Sequence, residues 1–186
     1  AWAHDTWYSI LDHLPDRQPV RRAELTIGYR IPAPIMDVAA RVLTEAAPDL
    51  SPPNSVRSTG DPPRFVPAGV ALGCLAEVVA EELRVVGAGN LAVIVAGSQV
   101  PEVEAVLEAA GIVFGRPSRR GLDEQVAVVP VGLVKGLEVD AAVVVEPARI
   151  IREQDQGVRA LYVALTRATK RVAVVHAEPL PDLLNP

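Results

Sequence analysis

The chain is poor in the residues from which chemistry is most often read. It has one cysteine, three histidines and one methionine in 186 residues, and only 4% of it is aromatic. A single cysteine excludes an internal disulfide framework. Cys74 falls among Leu72, Leu75 and Val78 and reads as a small core residue of a helix, in keeping with a reducing, cytoplasmic setting. His4, His13 and His176 are too scattered to form a metal-ligand set. There is no G-x-x-x-x-G-K-S/T phosphate loop, no acidic pair after a strand that suits magnesium, and no nucleophile with a neighbouring base. The apolar runs are too short to span a bilayer, and Ala1–Leu14 lacks the layout of a signal peptide, so no membrane partner is expected. Positive charge is also scarce. The formal net charge is −5, and no basic run exceeds Arg21–Arg22, Arg119–Arg120 or Lys170–Arg171. An autonomous nucleic-acid-binding domain usually carries a basic surface, so any contact with DNA or RNA must be local or shared with another domain.

What is present is apolar and regular. Hydrophobic residues make up 49% of the chain, enough for one core or a core with an appendage. The chain begins at Ala1-Trp2 without an initiating methionine, which suggests a segment of something longer. Residues 1–20, with Trp2, Trp7, Tyr8 and a capping Asp5, read as a short linker helix or the tail of a preceding domain. Residues 21–186 read as one domain. Glu24–Ile27 suggests a short strand, and Pro32 and Pro34 introduce a helix over Ile35–Ala46. Six prolines between Pro48 and Pro67 mark a loop packed on the domain. Beyond it the pattern predicts helices at Gly69–Val86 and Pro101–Ala110. Strands are predicted at Leu91–Val95, Ile112–Phe114, Val126–Val129, Ala141–Val145 and Val172–Val175. Valine-rich strands alternating with helices predict an α/β fold, a mainly parallel sheet flanked by helices.

The densest stretch is Ala160–Val175. Leu161, Ala164, Leu165 and Ala168 recur at helical spacing and give way to the apolar run Val172–Val175, with Thr166, Arg167, Lys170 and Arg171 at the join. Cations that complement a helix C-terminus are one reading of this crowding. A ligand site is the other. Ligands of parallel α/β sheets bind beyond the carboxyl ends of the strands. Gly28-Tyr29-Arg30, Gly132–Asp140 and Thr166–Arg171 are expected in such places.

Together these three segments resemble motifs of the UvrD/Rep/PcrA-type superfamily 1 helicases. L-T-I-G-Y-R resembles motif IV, V-K-G-L-E-V-D resembles motif V, and L-Y-V-A-L-T-R-A-T-K-R resembles motif VI, in the family's order. The resemblance identifies the chain as a second RecA-like domain, termed 2A, with a P-loop NTPase-like fold that lacks its own phosphate loop. G-Y-R-I-P-A-P-I-M and V-V-H-A-E-P-L-P are similar to the actinobacterial HelD type, helicase-like ATPases that associate with RNA polymerase. The histidine that the family places three residues before the motif V lysine is Gly132 here. The stretch between Arg30 and Lys135 is also short for the large insertion of unwinding enzymes.

The resemblance implies an ATP site completed across a domain cleft. Arg30 and Arg167 would meet the γ-phosphate, Tyr29 would stack on the adenine, and Glu138 would accept a hydrogen bond from the ribose or a water. Lys135 and Gly136 would shape the loop. ATP and its magnesium would be held mainly by an N-terminal RecA-like domain of the same protein, and this segment alone would be inactive. RNA polymerase is the partner implied, with DNA or RNA weaker. The alternatives are the 2A domain of a genuine DNA translocase or repair helicase, and an interaction module without nucleotide chemistry.

Overall fold

The computed structural model describes residues 13, 26–69, 72–117 and 124–185, so the predictions for Trp2 to Tyr8 and for Glu24–Leu25 lie outside the described residues. Its centre is a five-stranded sheet in the order β3-β7-β6-β4-β5, with every neighbouring pair parallel. The strands are β3 (Arg64–Pro67), β4 (Leu91–Val95), β5 (Val126–Pro130), β6 (Val139–Val145) and β7 (Ala168–His176). Side chains alternate across a strand, and here both sides are covered. Ala92, Ile94, Val129, Ala142, Val144 and Val174 face one core with Ile35, Val42 and Leu161. Leu91, Val93, Val95, Val128, Val143 and Val175 face the other with Leu75, Val79 and Leu107. A strand buried on both faces must be apolar throughout, which is why these read as continuous runs rather than alternating ones.

The first layer is α1 (Ala33–Ala46) and α5 (Gly157–Leu165), and the second is α2 (Leu75–Val86) and α3 (Val100–Ala109). In α1 the predicted stripe of Ile35, Val38, Ala39, Val42 and Leu43 is buried, joined by Met36. A small parallel pair, β1 (Ile27–Gly28) with β2 (Asn54–Ser55), precedes the main sheet in the chain. No helix among the described residues is long and apolar enough to cross a membrane.

Several local expectations are corrected. The second helix begins at Leu75 rather than Gly69, because Gly69 and Leu72 have left-handed φ of 62° and 55°, which an α-helix does not allow. Cys74 therefore sits at the helix entrance, half-buried, and not in the core. Ile112–Phe114 is extended chain without a strand; one bridge, Gly115 to Ala127, follows it. The proline-rich stretch is a packed loop that also supplies two strands, β2 and β3, and β3 is an edge strand. An edge tolerates Pro67, which has no N–H to donate. The last helix stops at Leu165 instead of running through Ala168, and Ala168–Arg171 open β7. A helix the apolar pattern did not announce, α4 (Pro147–Glu153), follows Glu146, whose left-handed φ of 47° turns the chain out of β6.

The turn from α4 into α5 leaves no room at Gly157. A Cβ there would lie 2.0 Å from the Ile151 carbonyl oxygen and 2.4 Å from the Ile151 Cα. These are backbone atoms that cannot swing aside as a side-chain tip can. Gly157→Ala is therefore expected to cost about 3 kcal/mol, the upper end for overpacking. Urea unfolding of wild type and variant checks it; equal midpoints would contradict the geometry.

The edge strand β3 is held by charge as well as by its ladder. Glu82 on α2 is 1% exposed, and accepts from Arg64 Nη1 of β3 at 3.0 Å and from Arg171 Nε of β7 at 2.6 Å. Arg64 also pairs with Glu81 at 3.1 Å, and Arg171 with Asp61. The Glu82 carboxylate, more than any other group, holds the Arg171 guanidinium above its ordinary pKa.

Candidate functional site

Arg167 lies in the two-residue join between α5 and β7, which fixes its backbone from both sides. Its guanidinium is half-buried. Nε donates to the Val163 carbonyl at 2.9 Å, Nη1 to the Leu137 carbonyl at 3.3 Å, and Nη2 to Thr166 Oγ1 at 3.3 Å. The contact to Val163 is the helix-capping bond that the bland reading anticipates. What that reading does not supply is an anion. Among the described residues no carboxylate lies within ion-pair distance of Arg167. Burial first, and then the charge of Arg30, push its pKa below the ordinary guanidinium range.

Arg30, far away in the chain, comes to the same place. It follows β1, and with Tyr29, Ile31, Met36, Pro53, Tyr162, Thr166 and Arg167 it lines an open cleft of about 590 Å³. Arg30 Nη1 pairs with Glu138 Oε2 at 3.2 Å, both side chains more than half exposed. Such a pair is worth little and is readily exchanged for another anion. Tyr29 is 72% exposed at the rim. Lys135 and Gly136 do not line the cleft; both are exposed. Gly136 has φ of 85°, and the turn it allows precedes Leu137, whose carbonyl Arg167 holds.

The predicted position of the site is corrected in one respect. Glu138 immediately precedes β6 and Arg167 immediately precedes β7, so these two stand at the amino ends of their strands, not beyond the carboxyl ends. Only Gly132 of the motif V stretch stays at a carboxyl end, after β5. The segment between it and Glu138 returns along the sheet to the start of β6, with Val131 and Val134 buried against the α1 and α5 layer.

Tyr162, Met36 and Thr166 also line the cleft and have no role assigned from sequence. Tyr162 on α5 stands four residues before Thr166, the residue that ends the helix, so one face carries both into the cleft. Burial raises its phenol pKa and the nearby Arg167 charge opposes the rise. Thr166 is buried, its hydroxyl donating back to the Tyr162 carbonyl at 2.9 Å while accepting from Arg167. No group of three or more His, Cys, Asp or Glu among the described residues is placed to hold a metal ion.

The arrangement is a pair of neighbouring guanidiniums, one lacking an acid partner among the described residues and the other loosely paired, at the mouth of a cleft walled by two tyrosines and aliphatic groups. Chemically it suits an anion joined to a flat ring.

Residues 125–175 match the family profile of the UvrD-like helicase C-terminal domain, a span that holds the Gly132–Asp140 and Thr166–Arg171 segments but not Arg30. No curated protein matches the sequence. Among solved structures, the chain is similar to the C-terminal domain of a possible DNA helicase from Lactobacillus plantarum WCFS1. The TM-score is 0.60 at 23% identity, over 84% of this chain and 92% of that one. That likeness carries the fold. The SWI2/SNF2 ATPase core of Sulfolobus solfataricus, solved with double-stranded DNA, gives a TM-score of 0.47 at 16% identity, over 87% of this chain and 34% of that one.

Proposed function

We propose that this chain is the C-terminal motor half of a superfamily 1 helicase-like ATPase, and that its cleft receives the γ-phosphate and adenine of an ATP held mainly by a second RecA-like domain. The observation that carries this reading is Arg167, a half-buried guanidinium whose bonds run to neutral oxygens, beside the solvent-open Arg30. A triphosphate would supply the missing negative charge, and Tyr29 would supply a stacking face. ATP arriving between two domains would draw the arginines onto its terminal phosphate and close the cleft; hydrolysis would release them. On this reading the magnesium belongs to the other domain, and the segment alone is inactive.

The finer reading is a HelD-like factor that acts on RNA polymerase, not an unwinding enzyme. Its support is the G-Y-R-I-P-A-P-I-M segment, Gly132 in place of a histidine, and an acidic chain.

The deciding experiment uses the intact protein. ATP hydrolysis with co-purification of RNA polymerase, and no strand separation, is expected. Tight single-strand binding that weakens steeply with salt, together with strand separation, would instead establish a DNA translocase.

A further inference from the structure

The cleft arginines come from segments more than a hundred residues apart, and a third arginine joins those segments. Arg57 stands just after β2, in the proline-rich stretch. Its Nη1 donates to the carbonyl of Arg30 at 2.5 Å and to the carbonyl of Thr169 at 2.6 Å. One nitrogen carries two N–H bonds, so both are committed, one to each segment. The backbone of Arg57 is fixed as well. Its N–H donates to Ser55 Oγ at 3.1 Å, and its carbonyl accepts the Ala33 N–H at 2.8 Å, in the first turn of α1. Ser55 Oγ in turn donates to the Ile31 carbonyl at 2.5 Å. The chain of bonds runs on through Thr169, whose hydroxyl donates to the Val139 carbonyl at 3.2 Å, next to Glu138. The Val139 N–H donates to the Arg167 carbonyl at 3.1 Å.

We infer that Arg57 is a positioning residue that sets the separation and facing of Arg30 and Arg167, and so the geometry with which the pair meets an anion. Arg57 does not line the cleft. It acts on the two carbonyls, one belonging to Arg30 itself and the other two residues beyond Arg167. The inference rests on the ATPase reading above. A group that stabilises charge in a transition state works only within a fraction of an ångström of its place, so its support should appear in turnover more than in nucleotide binding.

The test is steady-state ATP hydrolysis by the intact protein carrying Arg57→Ala, Arg57→Lys, Arg167→Ala and the double replacement of Arg57 and Arg167 by alanine. Arg57→Ala is expected to lower kcat about tenfold to a hundredfold with KM within about twofold. Arg57→Lys, whose ammonium has donors for both carbonyls, is expected to recover most of that loss. The double variant should be slower than Arg167→Ala by less than the factor that Arg57→Ala costs alone, because the share of that loss due to a misplaced Arg167 is already taken. Unchanged kcat in Arg57→Ala, or losses that multiply in the double variant, would overturn the inference. If Arg57→Ala does not fold, Arg57→Met, which keeps length and packing, takes its place in each comparison. Normal turnover in Arg167→Ala would overturn the ATPase reading itself; an impaired Arg167→Ala beside a normal Arg57→Ala would overturn only the positioning role.

Discussion

Arg167→Ala in the intact protein is expected to lower ATP turnover by about a thousandfold or more, the effect of removing an arginine finger from phosphoryl transfer. The size follows from where the side chain sits. Its three hydrogen bonds go to uncharged oxygens, and burial with the neighbouring Arg30 disfavours its positive charge. A phosphate that gains charge as its bond breaks reverses that penalty, most strongly at the transition state. The loss should therefore fall on kcat, with nucleotide affinity changed far less. Arg167→Lys should recover little, since an ammonium cannot keep the contacts to Val163, Leu137 and Thr166 while presenting two parallel donors to phosphate. Arg30→Ala should cost less than Arg167→Ala, because Arg30 is exposed and already paired with Glu138. Turnover within a few fold of wild type in Arg167→Ala, at an unchanged melting temperature, would reduce its role to capping α5.

What could be read ahead of the structure depended on how a residue type reports its surroundings. The central strands were legible because burial on both faces leaves only apolar residues, and Leu91–Val95 was predicted to the residue. The stripe of α1 was legible for the same reason. The beginnings of β6 and β7 were not. Asp140 and Thr169 to Arg171 are polar and lie only partly buried or exposed, so β6 and β7 start earlier than their apolar runs. That shift moved Glu138 and Arg167 from an expected carboxyl end to the amino edge. Strands of two and four residues in a proline-rich stretch have no pattern of their own. β2 and β3 exist because β1 and β7 offer free ladder edges. The convergence of Arg30 with Arg167 was legible only through motif resemblance, since no periodicity links positions so far apart. The link through Arg57 was not legible, because a side chain that binds two distant carbonyls leaves no local trace.

Glu82→Leu is expected to destabilise the fold by about 3 kcal/mol, the low end for removing one member of a buried ion pair. The reason is less the loss of attraction than the charges left behind. Arg171 is only 16% exposed, and both it and Arg64 lose a buried carboxylate while keeping Asp61 and Glu81 on the more exposed side. Those outer partners place the cost at the low end. Taking two charges out of water is itself expensive, so the complete network need not be more stable than an apolar one. Replacing Arg64 and Arg171 by methionine together with Glu82→Leu should therefore destabilise less than Glu82→Leu alone, although it removes more bonds. Urea midpoints of the three proteins decide between the two accounts. A triple variant weaker than the single one would mean that the hydrogen bonds themselves hold β3 to the sheet. The expected order would mean that the charges chiefly select the partner of β3, with α2 supplying the buried carboxylate that Arg64 of β3 and Arg171 of β7 share. Specificity of this kind would anchor the segment that carries Arg57 to the sheet edge from which Arg167 projects.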